Sequence, residues 1–120
     1  MTALLHTTHI AGAAPGTDLL RLRGEADQDT AADLQHAFDH ALRSLPTPHV
    51  LLVDCRGLTF CTSTGLNAVL KARRLALRQG TVLRLTGVTD QLRRLLRITE
   101  VDTVLDIQDS PTADGAPGTV

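Results

Sequence analysis

The chain alternates short apolar stretches of strand length with longer amphipathic ones. Residues 3–10, rich in Leu and Thr, read as an opening strand, and Ala11-Gly12-Ala13-Ala14-Pro15-Gly16 reads as a turn. From Leu19 to Arg23, apolar Leu20 and Leu22 alternate with Arg21 and Arg23, as in a strand packed on one face. Gly24-Glu25-Ala26-Asp27 is predicted as a loop, with Asp29 or Thr30 capping the helix that follows. Leu34, Phe38, Ala41, Leu42 and Leu45 recur at helical spacing and predict a helix over 31–44, stopped by Pro46 and Pro48. Val50-Leu51-Leu52-Val53 runs without alternation, which predicts a strand covered on both faces near the middle of a sheet.

Residues 56–62 read as a short loop at the sheet edge, and a second helix is predicted over 63–79. Leu66, Val69, Leu70, Ala76 and Leu77 supply its apolar face, and Gly80 ends it. Val82, Leu83 and Leu85 form another strand. Thr89 or Asp90 caps a third helix that buries Leu92, Leu95 and Leu96, and residues 104–107 form a last short strand. From Asp109 onward Val120 is the one large apolar residue, too little to offset the entropy of ordering, so this tail is expected to lack fixed structure. The pattern implies one domain over 1–108 and a tail over 109–120. Its class is α/β: a mixed sheet of about four to five strands with helices packed on it.

Composition narrows the function. The formal charge of −1 provides no global field toward nucleic acid or an anionic membrane. Phe38 and Phe60 are the only aromatics, which argues against recognition by base stacking. Cys55 and Cys61 lie six apart with no second pair to complete a metal site, and read as reduced thiols in a cytoplasmic core. Residues 1–10 show no signal-peptide pattern, and no apolar stretch approaches the ~20 residues that span a bilayer. His36 and His40 lie four apart on the first helix without a third ligand and read as an exposed face; His6, His9 and His49 join no constellation. No metal, cofactor or catalytic centre is expected. Asp54 ends a strand, but Leu22 to Gly24 supply no acidic partners for a magnesium-bound phosphoacceptor, so Asp54 is expected to bond the backbone of the following loop.

Three segments carry a family resemblance. Val53-Asp54-Cys55-Arg56-Gly57-Leu58-Thr59-Phe60-Cys61-Thr62-Ser63-Thr64-Gly65-Leu66 resembles the STAS signature, in which a strand ending in Asp leads to Phe and then to Asp-Ser-Ser/Thr-Gly-Leu at a helix start. Leu83-Arg84-Leu85-Thr86-Gly87-Val88, followed by Leu92-Arg93-Arg94-Leu95-Leu96, resembles the family's closing strand and helix. Gly24-Glu25-Ala26-Asp27 resembles the loop after its second strand.

The resemblance implies an anti-sigma-factor antagonist. Such a protein binds an anti-sigma factor that is also a serine kinase, is switched off by phosphorylation and is restored by a serine phosphatase. Carried over by position, the acceptor is Ser63, with Thr64 and Thr62 as alternatives. The implied partner surface is Asp27, Thr62, Ser63, Thr64, Gly65, Leu66, Asn67, Lys71 and Arg74. Asn67, Lys71, Arg74 and Arg78 form one polar stripe on the second helix, either a docking surface or a solvated face. Thr62 departs from the family's acid before the acceptor, which keeps a second implication open: an unphosphorylated accessory subunit docked on a transporter. A monomer or weak dimer is expected.

Overall fold

A computed structural model describes residues 4–108; residues 1–3 and the predicted tail lie outside the described residues. The elements are β1 (Leu5–Ala14), β2 (Thr17–Ala26), α1 (Ala31–Leu42), β3 (Val50–Cys61), α2 (Ser63–Gln79), β4 (Val82–Thr86), α3 (Asp90–Ile98) and β5 (Asp106–Gln108). The five strands lie in sequence order across one sheet. β1 is antiparallel to β2, and the other neighbours are parallel. The mixed α/β class expected from the sequence is the one observed.

Two predicted loops, and residues 11–14 of the predicted turn, are strand. Residues 24–26 extend β2 and residues 56–61 extend β3, with Gly24 opposite Leu58, Glu25 opposite Phe60 and Ala26 opposite Cys61. The register slips between Arg21 and Arg23 and again between Gly24 and Glu25. Each slip adds a residue to β3 and resets its inside–outside alternation, so β3 loses a strict period of two although pairing continues, while β2 keeps it.

The helices differ from expectation at their margins. α1 ends at Leu42, so Leu45 leaves the apolar stripe and is 89% exposed. On α2 the buried face includes Ala68, Ala72 and Leu75, while Leu77 falls off it and is 60% exposed. Gly80 closes α2 in the left-handed region at φ 75°, as a C-terminal glycine should.

All the buried apolar side chains form one cluster between the helices and a single face of the sheet. Leu20, Leu22, Leu51, Val53, Leu83 and Leu85 point into it from β2, β3 and β4. This corrects the two-sided cover predicted for residues 50–53: Leu51 and Val53 are buried, whereas Val50 and Leu52 are half-buried on the opposite face. An uninterrupted apolar run does not by itself distinguish a strand covered twice from one whose outer face carries a strip of aliphatic side chains.

Candidate functional site at the α2 tip

β3 is the central strand, and its carboxyl end passes through Thr62 directly into α2. The tip therefore stands at the end of the middle strand, rather than in a loop at the sheet edge. Carboxyl ends of parallel strands are where α/β proteins place ligands and partners.

Thr62, not Ser63, caps the helix. Its extended backbone (φ −99°, ψ 174°) lets its hydroxyl accept a hydrogen bond from the Gly65 N–H at 3.3 Å. Ser63 is the first helical residue; it is exposed, and its hydroxyl makes no hydrogen bond among the described residues. Thr64 is exposed beside it. The first turn of α2 contains no acidic residue, so a negative charge there meets the positive end of the helix dipole and no carboxylate on the same turn.

Gly65 and Leu66 are buried and do not face solvent. The resemblance places Gly65 on the partner surface, yet its missing side chain makes room for a contact within the fold. The close approach is internal: a side chain on Gly65 would collide with the backbone carbonyl of Ala26. The Thr62 N–H donates to the same carbonyl at 2.9 Å. These contacts bind the α2 tip to the end of β2, next to Asp27.

Asp27 holds the entrance to α1. Its Oδ1 accepts from the Asp29 N–H at 3.0 Å and the Thr30 N–H at 3.2 Å. Neither Asp29 nor Thr30 caps with its own side chain as predicted. The Thr30 hydroxyl instead donates to the Glu25 carbonyl at 2.7 Å and accepts from the Asp27 N–H at 3.0 Å. Asp27 Oδ2 takes no hydrogen bond among the described residues.

Asn67, Lys71, Arg74 and Arg78 are all exposed along α2. Thr64, Asn67 and Lys71 share a shallow groove of about 310 Å³ with Ala31, Ala32 and Gln35 of α1. The α1 half of this groove was not singled out in the sequence, because small and polar residues at a helix start carry no chemical signature. Phe60 was also missed. It is 45% exposed near the end of β3, two residues before the Thr62 cap, and aromatic anchors of this kind concentrate energy at interfaces.

The remaining candidates are structural. Asp54 accepts from the Arg56 N–H at 3.1 Å, as expected of a group bonding the following backbone, and also from Arg56 Nε and Nη2 at 3.0 Å and Arg21 Nε at 3.4 Å. Burial pushes its carboxyl up, but the bonds from Arg56 and Arg21 outweigh that and hold it below the usual carboxylate range. Cys55 and Cys61 are free and buried; burial pushes their thiols up to about 12 and about 11. His9 has partners the sequence did not reveal: its Nε2 lies 2.8 Å from Asp18 Oδ2, and its ring meets His40 edge-on at 5.6 Å. No helix among the described residues is long and apolar enough to cross a membrane.

The order of elements, with a helix tip fed by the central strand, places the fold among STAS domains. The chain belongs to that family: the family model described as "Mlab, STAS domain" matches residues 10–107. Among solved structures, an anti-sigma factor antagonist from Mycobacterium paratuberculosis is 20% identical with a TM-score of 0.77, over 90% of this chain and 88% of that one. An antisigma-factor antagonist STAS domain from Rhodobacter sphaeroides is 17% identical with a TM-score of 0.61, over 73% and 91%. A sulfate transporter family protein from Wolinella succinogenes is 24% identical with a TM-score of 0.64, over 76% and 73%. At these identities the likeness is one of fold. None of the curated proteins matches the sequence.

Proposed function

We propose that this STAS domain is an anti-sigma-factor antagonist that works by docking, without a catalytic centre of its own. Its partner is an anti-sigma factor with serine kinase activity, and phosphorylation at Ser63 switches the complex off. The observation that carries this reading is the state of Ser63: exposed, bonded to nothing among the described residues, and first in a helix whose cap belongs to Thr62. A serine with no structural duty can be modified without cost to the fold.

Phosphate at Ser63 adds about −1.5 to −2 charges at neutral pH. The helix N-terminus tolerates that charge, so the domain stays folded. At an interface the same group must be desolvated. A penalty on the order of 3 kcal/mol lowers affinity by about two orders of magnitude, enough for a switch. The docking surface comprises Asp27, Thr62, Ser63, Thr64, Asn67, Lys71 and Arg74, with Phe60 and the α1 side of the groove added. Gly65 and Leu66 shape it from beneath.

Thr62 supports a second reading. It removes the family's acid from the position before the acceptor, and a sulfate transporter family protein is among the structural relatives. On that reading the same tip docks an accessory domain onto a transporter without phosphorylation. Incubation with ATP and the host's anti-sigma-factor kinases, followed by mass spectrometry, separates the two. The first reading requires phosphate on Ser63 and its loss in Ser63→Ala; no incorporation with any of these kinases favours the second.

A further inference from the structure

Among the described residues, the sheet has one face that no helix covers. Across it the strand register aligns Ile10 with Leu19 and Leu52, and Thr17 with Val50 and Val82. None of these aliphatic side chains belongs to the core cluster or packs against it; Ile10 is 36% and Val82 41% exposed. They form a continuous apolar strip in the middle of the open face.

One end of the strip is basic. Arg21 and Arg23 follow Leu19 on β2, and Arg56 follows Asp54 on β3. The side chains of Arg21 and Arg56 are 46% and 58% exposed. Their shared counterion, Asp54, is buried and serves both. Arg23 has no ion pair or hydrogen bond among the described residues, and its stem lies across Gly57, where a Cβ would come within 2.6 Å of its Cγ. Arg56 is held in the same way over Gly87. Two adjoining depressions of about 330 and 360 Å³ run through this end, and Arg21 and Arg23 line both.

We infer that this open face is a second docking surface, separate from the α2 tip, and that it takes an acidic amphipathic segment of a protein partner. The aliphatic strip receives the segment's apolar side, and Arg21, Arg23 and Arg56 pair with carboxylates beside it. Arginine stems packed on glycine cost little entropy to order, which suits charged pairing at an interface rim. A second copy of this chain fits poorly, because the acid that flanks the strip, Asp106, is already paired with Arg84 at 3.2 Å. A membrane fits poorly too: Leu19 and Leu52 are less exposed than the arginines beside them and offer little apolar surface for insertion. The domain could then hold one partner at the tip and another on the sheet.

The full ¹⁵N-labelled chain titrated with a synthetic helical peptide, bearing a leucine face flanked by glutamates, tests this. Amide shifts should concentrate at Leu19, Arg21, Arg23 and Leu52, and the same peptide with lysines should not bind. Arg23→Glu should weaken binding by about tenfold, and Arg23→Gln by less, with little change in thermal unfolding because the Arg23 guanidinium makes no hydrogen bond or ion pair among the described residues. Equal affinity for both peptides, shifts confined to the α2 tip, or full affinity in Arg23→Glu would overturn the proposal. So would co-flotation with phosphatidylglycerol vesicles without peptide binding, or a concentration-dependent dimer that buries this face.

Discussion

Gln91 grips the backbone of Cys61 with both ends of its amide. The Cys61 N–H donates to Gln91 Oε1 at 2.9 Å, and Gln91 Nε2 donates to the Cys61 carbonyl at 2.9 Å. The geometry explains the need. β4 pairs with β3 only as far as Thr86 opposite Asp54, so among the described residues Cys61 has no strand neighbour on that side. A side chain from α3 supplies the missing ladder one residue before the Thr62 cap. Gln91→Ala should cost about 2 kcal/mol, since two hydrogen bonds at a partly buried site are lost. Urea denaturation measures the loss, and faster hydrogen exchange at the Cys61 amide locates it. An unchanged midpoint would show that water replaces the amide fully.

Gly65 meets Ala26 in the same neighbourhood. Any side chain at 65 must displace backbone at the end of β2, not a flexible side-chain end. Gly65→Ala is expected to destabilise the fold by about 1–3 kcal/mol and to shift the resonances of Asp27, the residue after the displaced carbonyl. Paired stability and chemical-shift measurements check both effects; a stability loss with Asp27 undisturbed would sever the proposed link between tip and loop.

The cap assignment is tested at Thr62. Thr62→Ala removes the acceptor for the Gly65 N–H and should cost about 1 kcal/mol. Thr62→Asp keeps an acceptor at the cap and adds a charge favoured by the helix dipole, so it should match or exceed the parent in thermal stability. If both variants melt with the parent, Thr62 is not the working cap.

Acid should weaken the protein through Asp54 and Asp18. Both carboxyls are held below their ordinary range in the fold: burial opposes this, and the bonds from Arg56 and Arg21, or from Gly12 and His9, prevail. A depressed folded pKa gives stability that is present above the ordinary carboxylate pKa of about 4 and lost as pH falls through the folded value. Denaturation midpoints should therefore hold from neutral pH to about 5 and decline below about 4. Asp54→Asn should lower stability at neutral pH and flatten part of that decline; an undiminished acid dependence would assign it elsewhere.

The sequence made the element order and fold class legible, because Leu34, Phe38, Leu42 and Leu92, Leu96 keep helical spacing and Leu20, Leu22 keep strand spacing. What it hid has physical causes. The bulges put extra residues into β3 and break its alternation, so its far half reads as a loop, while on β2 the short run Gly24-Glu25-Ala26 lacks the large apolar residues that mark a strand. Leu51 and Leu52 look alike in the chain and separate only when one face of the sheet proves bare. At the tip, the position of Ser63 was readable from the family signature. The Gln91–Cys61 clamp and the His9–Asp18 pair were not, since each joins residues whose types carry no fixed spacing.

The central claim rests on Ser63, a free hydroxyl whose charge state decides who can dock. Its most direct test is calorimetric titration of the partner kinase with the parent chain, Ser63→Ala and the Ser63-phosphorylated form, alongside hydrogen exchange of each. The account predicts that the phosphorylated form binds about a hundredfold more weakly, that Ser63→Ala binds like the parent, and that core protection is the same in all three. Equal affinity of the phosphorylated form, or broad loss of core protection on phosphorylation, would contradict it.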